Sequence, residues 1–91
     1  MRAEKAIETA LAHRLRPGSG RYPILLDNAI LDYTGRSIPP PHACGWIERR
    51  RSGEVVARVL QETAAGRDAF ALLGAGLVGI EFDGRAVRLV P

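Results

Sequence analysis

Residues 77–90 of the chain read LVGIEFDGRAVRLV, and this stretch has the pattern of a β-hairpin. Asp-Gly is a preferred pair for the two-residue turns that join antiparallel strands, so Asp83 and Gly84 predict strands over 77–82 and 85–90. Counting outward from the turn fixes which residues lie opposite one another. The predicted opposite pairs are Val78 with Leu89, Ile80 with Val87, and Phe82 with Arg85.

This register divides the hairpin into an apolar face and a polar face. Side chains alternate along a strand, so Glu81 and Arg88 fall on the polar face, near enough for a diagonal pair. Both strands agree on which face points inward, and we therefore expect the hairpin to cover a core. The predicted apolar face consists of Val78, Ile80, Phe82, Val87 and Leu89.

The segments before the hairpin have weaker sequence patterns for secondary structure. Apolar residues at three- and four-residue spacing predict a helix over 2–15, which Pro17-Gly18 ends. Tyr22 to Leu26 is typical of a short strand. Asp27-Asn28 favours a hairpin turn into a strand over Ala29–Tyr33, although a short helix also fits there. The Pro39–Pro41 run predicts a rigid crossover, with a recognition motif as the alternative and a cis bond undecided.

A second helix is predicted in the centre of the chain. Ser52 is a suitable N-cap for a helix from Gly53 to about Ala65, and Gly66 would end it. The segment Asp68–Leu73 fits either a strand or a helical turn. The expected fold is therefore a small α+β domain over residues 1–91, with two helices packed on an antiparallel sheet that ends in the C-terminal hairpin.

Composition narrows the class of protein. A chain of 91 residues with one cysteine excludes a disulfide scaffold and a cysteine-rich metal site. No segment is long and apolar enough to span a bilayer, and no secretory signal opens the chain, so we expect a cytoplasmic location. The formal net charge is +3, from 13 basic and 10 acidic residues. All of the excess lies in residues 1–51, largely at Arg49–Arg51, because residues 52–91 carry four basic against five acidic residues.

The candidate chemical sites are all weak. His42 and Cys44 could point the same way from an extended segment, but no histidine follows them to complete a catalytic arrangement, so a thiol enzyme is an unlikely alternative. His13 is isolated, and no metal ligand spacing is present. The Gly-rich loop 16–21 follows a helix C-terminus, where the dipole repels anions. Residues 74–79 fit Gly-x-Gly-x-x-Gly but lead into a strand. We expect no metal, no cofactor and no small-molecule substrate.

The function predicted from the sequence is therefore binding rather than catalysis. Trp46, Arg49, Arg50 and Arg51 combine the residue types that are enriched at interface hot spots. We expect them to contact a protein partner or a second copy of the chain, and not a membrane. The size and lack of chemistry suggest a phage or mobile-element component or inhibitor. The alternatives are nucleic-acid binding through Arg49–Arg51 and a simple solvated arginine turn.

Overall fold

A computed structural model of the chain describes residues 3–27 and 42–90. Within them, two helices and one five-stranded sheet confirm the α+β class. The predictions for Ala29–Tyr33 and Pro39–Pro41 lie outside the described residues. In chain order the elements are α1 (Ala3–Leu11), β1 (Arg21–Leu26), β2 (His42–Arg49), β3 (Val55–Val59), α2 (Ala64–Gly74), β4 (Gly79–Phe82) and β5 (Val87–Val90).

The sheet has the strand order β3-β2-β1-β5-β4 and is mixed, so the prediction of a wholly antiparallel sheet was wrong. β1 and β5 run parallel, with Ile24 beside Val87 and Leu26 beside Leu89. The other three neighbouring pairs are antiparallel. Parallel neighbours need a long connection. Here the chain passes through β2, β3, α2 and β4 before β5 starts beside β1.

The two described helices cover only one face of the sheet. On one face the side chains are fully buried beneath the helices, as at Ile24, Leu26, Ile47, Val87 and Leu89. Alternation sends the intervening side chains to the opposite side, which neither described helix covers. We call this second side the open face. Its members are Arg21, Pro23, Leu25, Ala43, Trp46, Glu48, Val56, Arg58, Glu81, Arg88 and Val90.

The first helix is shorter than predicted. It begins at Ala3 and ends at Leu11 rather than continuing to Leu15, and Arg14 N donates to Leu11 O at 3.0 Å in a tight closing turn. The apolar stripe is confirmed, because Ala3, Ile7 and Leu11 are buried. Leu15 is also buried although it lies beyond the helix, so the turn keeps the last apolar position in the core.

Side chains of α1 and its closing turn also bond to both edges of the sheet. The Glu8 carboxylate accepts a hydrogen bond from Ala57 N at 2.8 Å on the β3 edge, and the Glu4 carboxylate accepts one from Val59 N at 3.0 Å. At the opposite edge, Arg14 Nη2 donates to Phe82 O at 2.9 Å. Edge strands expose unpaired backbone groups that can recruit other chains. The helix segment satisfies several of these groups internally.

The predicted helix over 53–65 was wrong. Val55–Val59 is the edge strand β3, which pairs with β2 and follows a tight turn over residues 50–54. Gly53 has φ of +93°, a conformation that glycine adopts without strain. The segment has apolar residues at helical spacing, but its valines also suit a strand, and pairing along β2 decided between the two.

The helix forms further along the chain, as α2. Thr63 is its N-cap: the hydroxyl accepts from Gly66 N at 2.9 Å and donates to Leu60 O at 2.8 Å. Gly66 was predicted to end a helix and instead lies in the first turn of one. A Cβ at Gly66 would lie 1.7 Å from Leu60 O, so close packing requires glycine there. The ambiguous segment Asp68–Leu73 is helical.

The C-terminal hairpin is confirmed, but its register differs by two residues. Ile80 lies opposite Leu89, and Phe82 lies opposite Val87. The Asp83 carboxylate accepts from the backbone N–H groups of Arg85 and Ala86 at 2.8 and 3.0 Å. These bonds take both residues out of the strand, so the connection is a four-residue loop. A shift of two preserves the face of every side chain, and the predicted inward face was therefore correct.

Candidate macromolecular interface

Trp46 is the central aromatic residue of the open face. It lies on β2, and its register neighbours are Pro23 on β1 and Arg58 on β3. The Arg21 guanidinium carbon lies 4.0 Å from the indole centroid, which is a close cation–π contact. Arg21 Nε also lies 3.8 Å from Glu48 Oε1. The half-buried indole is thus held in place by its own sheet neighbours.

Apolar side chains extend the open face on either side of Trp46. Val56 and Leu25 are half-buried, while Pro23 and Arg58 are exposed. Between β1 and β5 lies a cleft of about 170 Å³, lined by Leu25, Asp27, Arg88 and Val90. The open face therefore combines an aromatic centre, small apolar surfaces and arginines, a composition typical of protein interfaces.

The structure separates the residues that the sequence grouped as one patch. Trp46 and Arg49 are three positions apart on β2, so their side chains lie on opposite faces of the sheet. Arg49 Nη1 donates to Leu15 O and Arg49 Nε to Gly53 O, both at 3.1 Å. These bonds join the β2–β3 turn to the segment after α1. Arg49 is thus tied into the fold rather than presented to solvent.

Arg50 and Arg51 lie in the exposed β2–β3 turn. Arg50 Nη1 is 3.1 Å from Glu54 Oε2, a surface ion pair within the turn. The Arg51 stem packs on Gly18, since a Cβ there would come within 2.9 Å of Arg51 Cγ. Gly18 N donates to Arg49 O at 2.8 Å, which fixes the α1–β1 loop beside the turn. Partner binding by Trp46, Arg49, Arg50 and Arg51 stays a prediction.

Strand direction places three loops at the end of the sheet where β1 begins. They are residues 12–20 after α1, residues 50–54 between β2 and β3, and residues 83–86 between β4 and β5. Arg14, in the first loop, bonds to Phe82 O at the end of β4, directly before the third loop. We call these loops, with the adjoining residues Arg21, Glu48 and Arg49, the basic end.

Charge is distributed unevenly between the basic end and the rest of the described residues. The basic end carries seven arginines and three acidic residues, which gives +4. The remaining described residues carry four basic and six acidic groups, which gives −2. The members of the basic end are Arg14, Arg16, Arg21, Arg49, Arg50, Arg51 and Arg85, with Glu48, Glu54 and Asp83.

Sequence reasoning missed several residues of these two surfaces. Arg58 was missed because β3 was predicted as a helix. Arg21 could have been found, because β1 was predicted as a strand from Tyr22 and alternation extends to the residue before it. No local sequence pattern marks Arg14 or Arg85 as a surface residue of interest, since only the fold places their two loops at the same end of the sheet.

Cys44 lies at an irregularity between β1 and β2 and is fully buried. Burial raises the pKa of its thiol to about 11, against a smaller lowering by a backbone hydrogen bond. The thiol donates to Ile24 O at 3.3 Å. A protonated, inaccessible thiol is a poor nucleophile, because the thiolate is the reactive form.

Other kinds of site have little support in the described part of the chain. Over residues 3–27 and 42–90, no three His, Cys, Asp or Glu side chains lie together as metal ligands. Neither α1 nor α2 is long and apolar enough to cross a bilayer.

Comparison with protein-family models, curated proteins and solved structures found no significant match to this chain.

Proposed function

We propose that this protein is a small non-catalytic binding protein that contacts a protein partner, or a second copy of itself, through the open face. The observation that carries the proposal is Trp46, centred on a sheet face that the described helices leave uncovered and flanked by Arg21 and Arg58. Tryptophan and arginine are the residue types most enriched among interface residues that dominate binding energy.

Preorganisation strengthens this interpretation. Ordering a long side chain on binding costs roughly 0.5–1.5 kcal/mol. Arg21 is already stacked on Trp46 and lies near Glu48. A partner that docks here therefore meets an anchor whose side-chain entropy is largely lost before association. The neighbouring apolar residues Pro23, Leu25 and Val56 supply surface from which water can be displaced.

The proposal gives Cys44 no chemical role, because its thiol is buried and its pKa is raised to about 11. A cytoplasmic location is part of the proposal. We retain the interpretation as a phage or mobile-element component or inhibitor as part of the same proposal, supported by the small size.

The test compares Trp46→Ala with Leu77→Ala. Leu77 is 65% exposed in the connection between α2 and β4, outside the strands that form the open face, so its substitution removes exposed apolar surface elsewhere. Light scattering of the purified chain measures self-association. Affinity capture from the native host with quantitative mass spectrometry measures other partners. We expect Trp46→Ala to lose the dimer or the captured partner while Leu77→Ala retains it.

A second variant, Arg58→Glu, distinguishes loss of binding from loss of folding. Arg58→Glu changes an exposed residue at the register position opposite Trp46, and it should weaken the same complex at least tenfold without altering the thermal unfolding temperature. A monomeric wild type whose captured proteins are identical for Trp46→Ala and Leu77→Ala would overturn the proposal.

A further inference from the structure

Three arginines of the basic end have no acidic partner among the described residues. Arg16, Arg51 and Arg85 make no ion pair there, whereas Arg21 lies near Glu48 and Arg50 pairs with Glu54. The three come from three different loops. Arg16 and Arg51 are on neighbouring loops, because the stem of Arg51 packs on Gly18 and Gly18 N bonds to Arg49 O.

Two further charges of the basic end remain uncompensated although their side chains are bonded. Arg14 and Arg49 donate to the neutral carbonyl oxygens of Phe82, Leu15 and Gly53. A neutral carbonyl satisfies the N–H donor but leaves the positive charge in place. A polyanion would therefore meet five uncompensated guanidinium groups, two of which are fixed by the fold.

The exposed side chains of the basic end provide no apolar anchor. Between Arg16 and Arg21 the loop contains proline, glycine and serine, and the β2–β3 turn contains arginine, serine, glycine and glutamate. The exposed large hydrophobic residue of the described chain, Leu77, lies elsewhere. Protein interfaces have an apolar centre. Interfaces with nucleic acid are more polar and strongly positive.

Stacking groups are also missing from the basic end. Tyr22 and Phe82 pack edge to face, with their ring centroids 5.3 Å apart, and both are half-buried. Trp46 lies on the open face with Arg21 over its ring. Proteins that bind single strands without sequence preference usually present exposed aromatic rings for stacking. Contacts to phosphates alone suit a duplex, whose bases are already stacked.

We propose that the basic end binds the phosphate backbone of double-stranded nucleic acid, without reading its sequence. Arg16, Arg51 and Arg85 would each contact a phosphate, and Arg14 and Arg49 would add to the local positive potential. The three unpaired arginines lie outside the open face, although the two surfaces share Arg21 and Glu48, so duplex binding adds a second activity to the proposed protein-binding function. The two proposals can fail independently.

The experiment uses fluorescence anisotropy with a labelled 20-base-pair DNA duplex and the full chain, across a salt series. The triple variant Arg16→Ala, Arg51→Ala, Arg85→Ala removes the three unpaired arginines. The matched control, Lys5→Ala with Arg67→Glu, removes the same three units of positive charge from exposed residues outside both surfaces. Both variants have the same formal net charge, so general attraction to DNA is equal in the two proteins.

We expect the wild type to bind the duplex with an affinity that falls steeply with salt. The basic-end variant should bind about tenfold more weakly at low salt, and the slope of log affinity against log salt should decrease by roughly 2–3, about 0.9 per phosphate contact. The control should bind within about threefold of wild type. Circular dichroism melts confirm that both variants fold, and Arg51→Glu alone should weaken binding further than Arg51→Ala.

Four outcomes would overturn the proposal. The first is equal weakening by the basic-end variant and the control, which would mean that only net charge matters. The second is tighter binding to a single-stranded 20-mer than to the duplex. The third is absence of duplex binding at low salt. The fourth is binding to polyglutamate as tight as binding to DNA, which would indicate an acidic protein partner instead.

Discussion

At the scale of single residues, Arg49 illustrates how a charge that seems to belong to a surface patch can be structural. Its guanidinium group bonds to Leu15 O after α1 and to Gly53 O in the β2–β3 turn. Sequence alone grouped it with Arg50 and Arg51 because the three are consecutive. The strand places its side chain on the face opposite Trp46, which consecutive numbering does not reveal.

We expect Arg49→Ala to destabilise the fold by about 1–3 kcal/mol, because two partly buried carbonyl oxygens lose a charged donor. Urea unfolding followed by circular dichroism measures the change. Arg51→Ala is the matched control, and as an exposed arginine without an ion pair it should alter stability by less than about 0.5 kcal/mol. Equal effects of the two substitutions would contradict the structural role of Arg49.

Cys44 provides a second prediction at this scale. With a thiol pKa of about 11, roughly one molecule in 10⁴ carries the thiolate at pH 7, and the side chain is also buried. Alkylation by iodoacetamide at pH 7 should therefore be at least about a hundredfold slower in the native state than in urea. Mass spectrometry over time gives both rates. A native rate as fast as the unfolded one would restore the thiol-enzyme alternative.

At the scale of elements, α1 covers the core and also bonds to the edge of the sheet. Its acidic side chains accept hydrogen bonds from backbone N–H groups of β3, as the carbonyls of a neighbouring strand would. Glu4 and Glu8 are one helical turn apart, and Val59 and Ala57 are two residues apart on β3. Both spacings are close to 6 Å, about 1.5 Å per helical residue and 3.3 Å per strand residue. The match lets one helix face satisfy alternate N–H groups along the strand edge.

The double variant Glu4→Ala, Glu8→Ala should expose this edge. We expect faster hydrogen exchange at the amides of Ala57 and Val59, a loss of stability of about 1–2 kcal/mol, and association that rises with protein concentration. Exchange by NMR and light scattering measure these effects. Glu62→Ala, at an exposed glutamate, should change none of them. Unchanged exchange at Ala57 and Val59 in the double variant would contradict edge capping.

The loop between β4 and β5 should make stability depend on pH. Backbone hydrogen bonds from Ala86 and Arg85, with Arg88 close by, lower the pKa of the Asp83 carboxyl below 3.8. A carboxyl with a lower pKa in the folded state stabilises the fold above its ordinary pKa, and this contribution disappears as pH falls through the folded value. The stability difference between wild type and Asp83→Ala should therefore be constant near pH 7 and shrink below pH 3.8.

Unfolding in urea at several pH values tests this prediction. Asp68→Ala serves as the control, since Asp68 accepts no such hydrogen bond from the described residues and lies on the exposed side of α2. A difference between wild type and Asp83→Ala that stays the same from neutral to strongly acidic pH would contradict the role of the carboxylate in the loop.

At the scale of the whole molecule, a small core depends on the helix that touches both sheet edges. Ile7 is fully buried near the middle of α1. We expect Ile7→Ala to cost about 2–5 kcal/mol, a large share of the stability of a domain of this size. Thr9→Ala, at an exposed position of the same helix, should have little effect. Urea unfolding gives both values, and a small loss at Ile7 would contradict a core centred under α1.

The sequence could predict part of this molecule because some signals are local. An amphipathic stripe, the Asp-Gly turn and the alternating pattern of the last strand each depend on residues close together in the chain. These predicted α1, β1, the last hairpin and its inward face correctly. The observed register differs by two residues from the predicted one, because the Asp83 side chain bonds to the backbone N–H groups of Arg85 and Ala86. The identity of the turn residues does not reveal these bonds.

Other features depended on contacts between distant segments. The sequence by itself determined the α+β class and which side chains of the last hairpin face the core. Only the tertiary structure decided that Val55–Val59 is a strand, because pairing with β2 outweighs local helical spacing. It alone also decided where the charges gather, since strand direction, rather than sequence distance, brings the three loops of the basic end together.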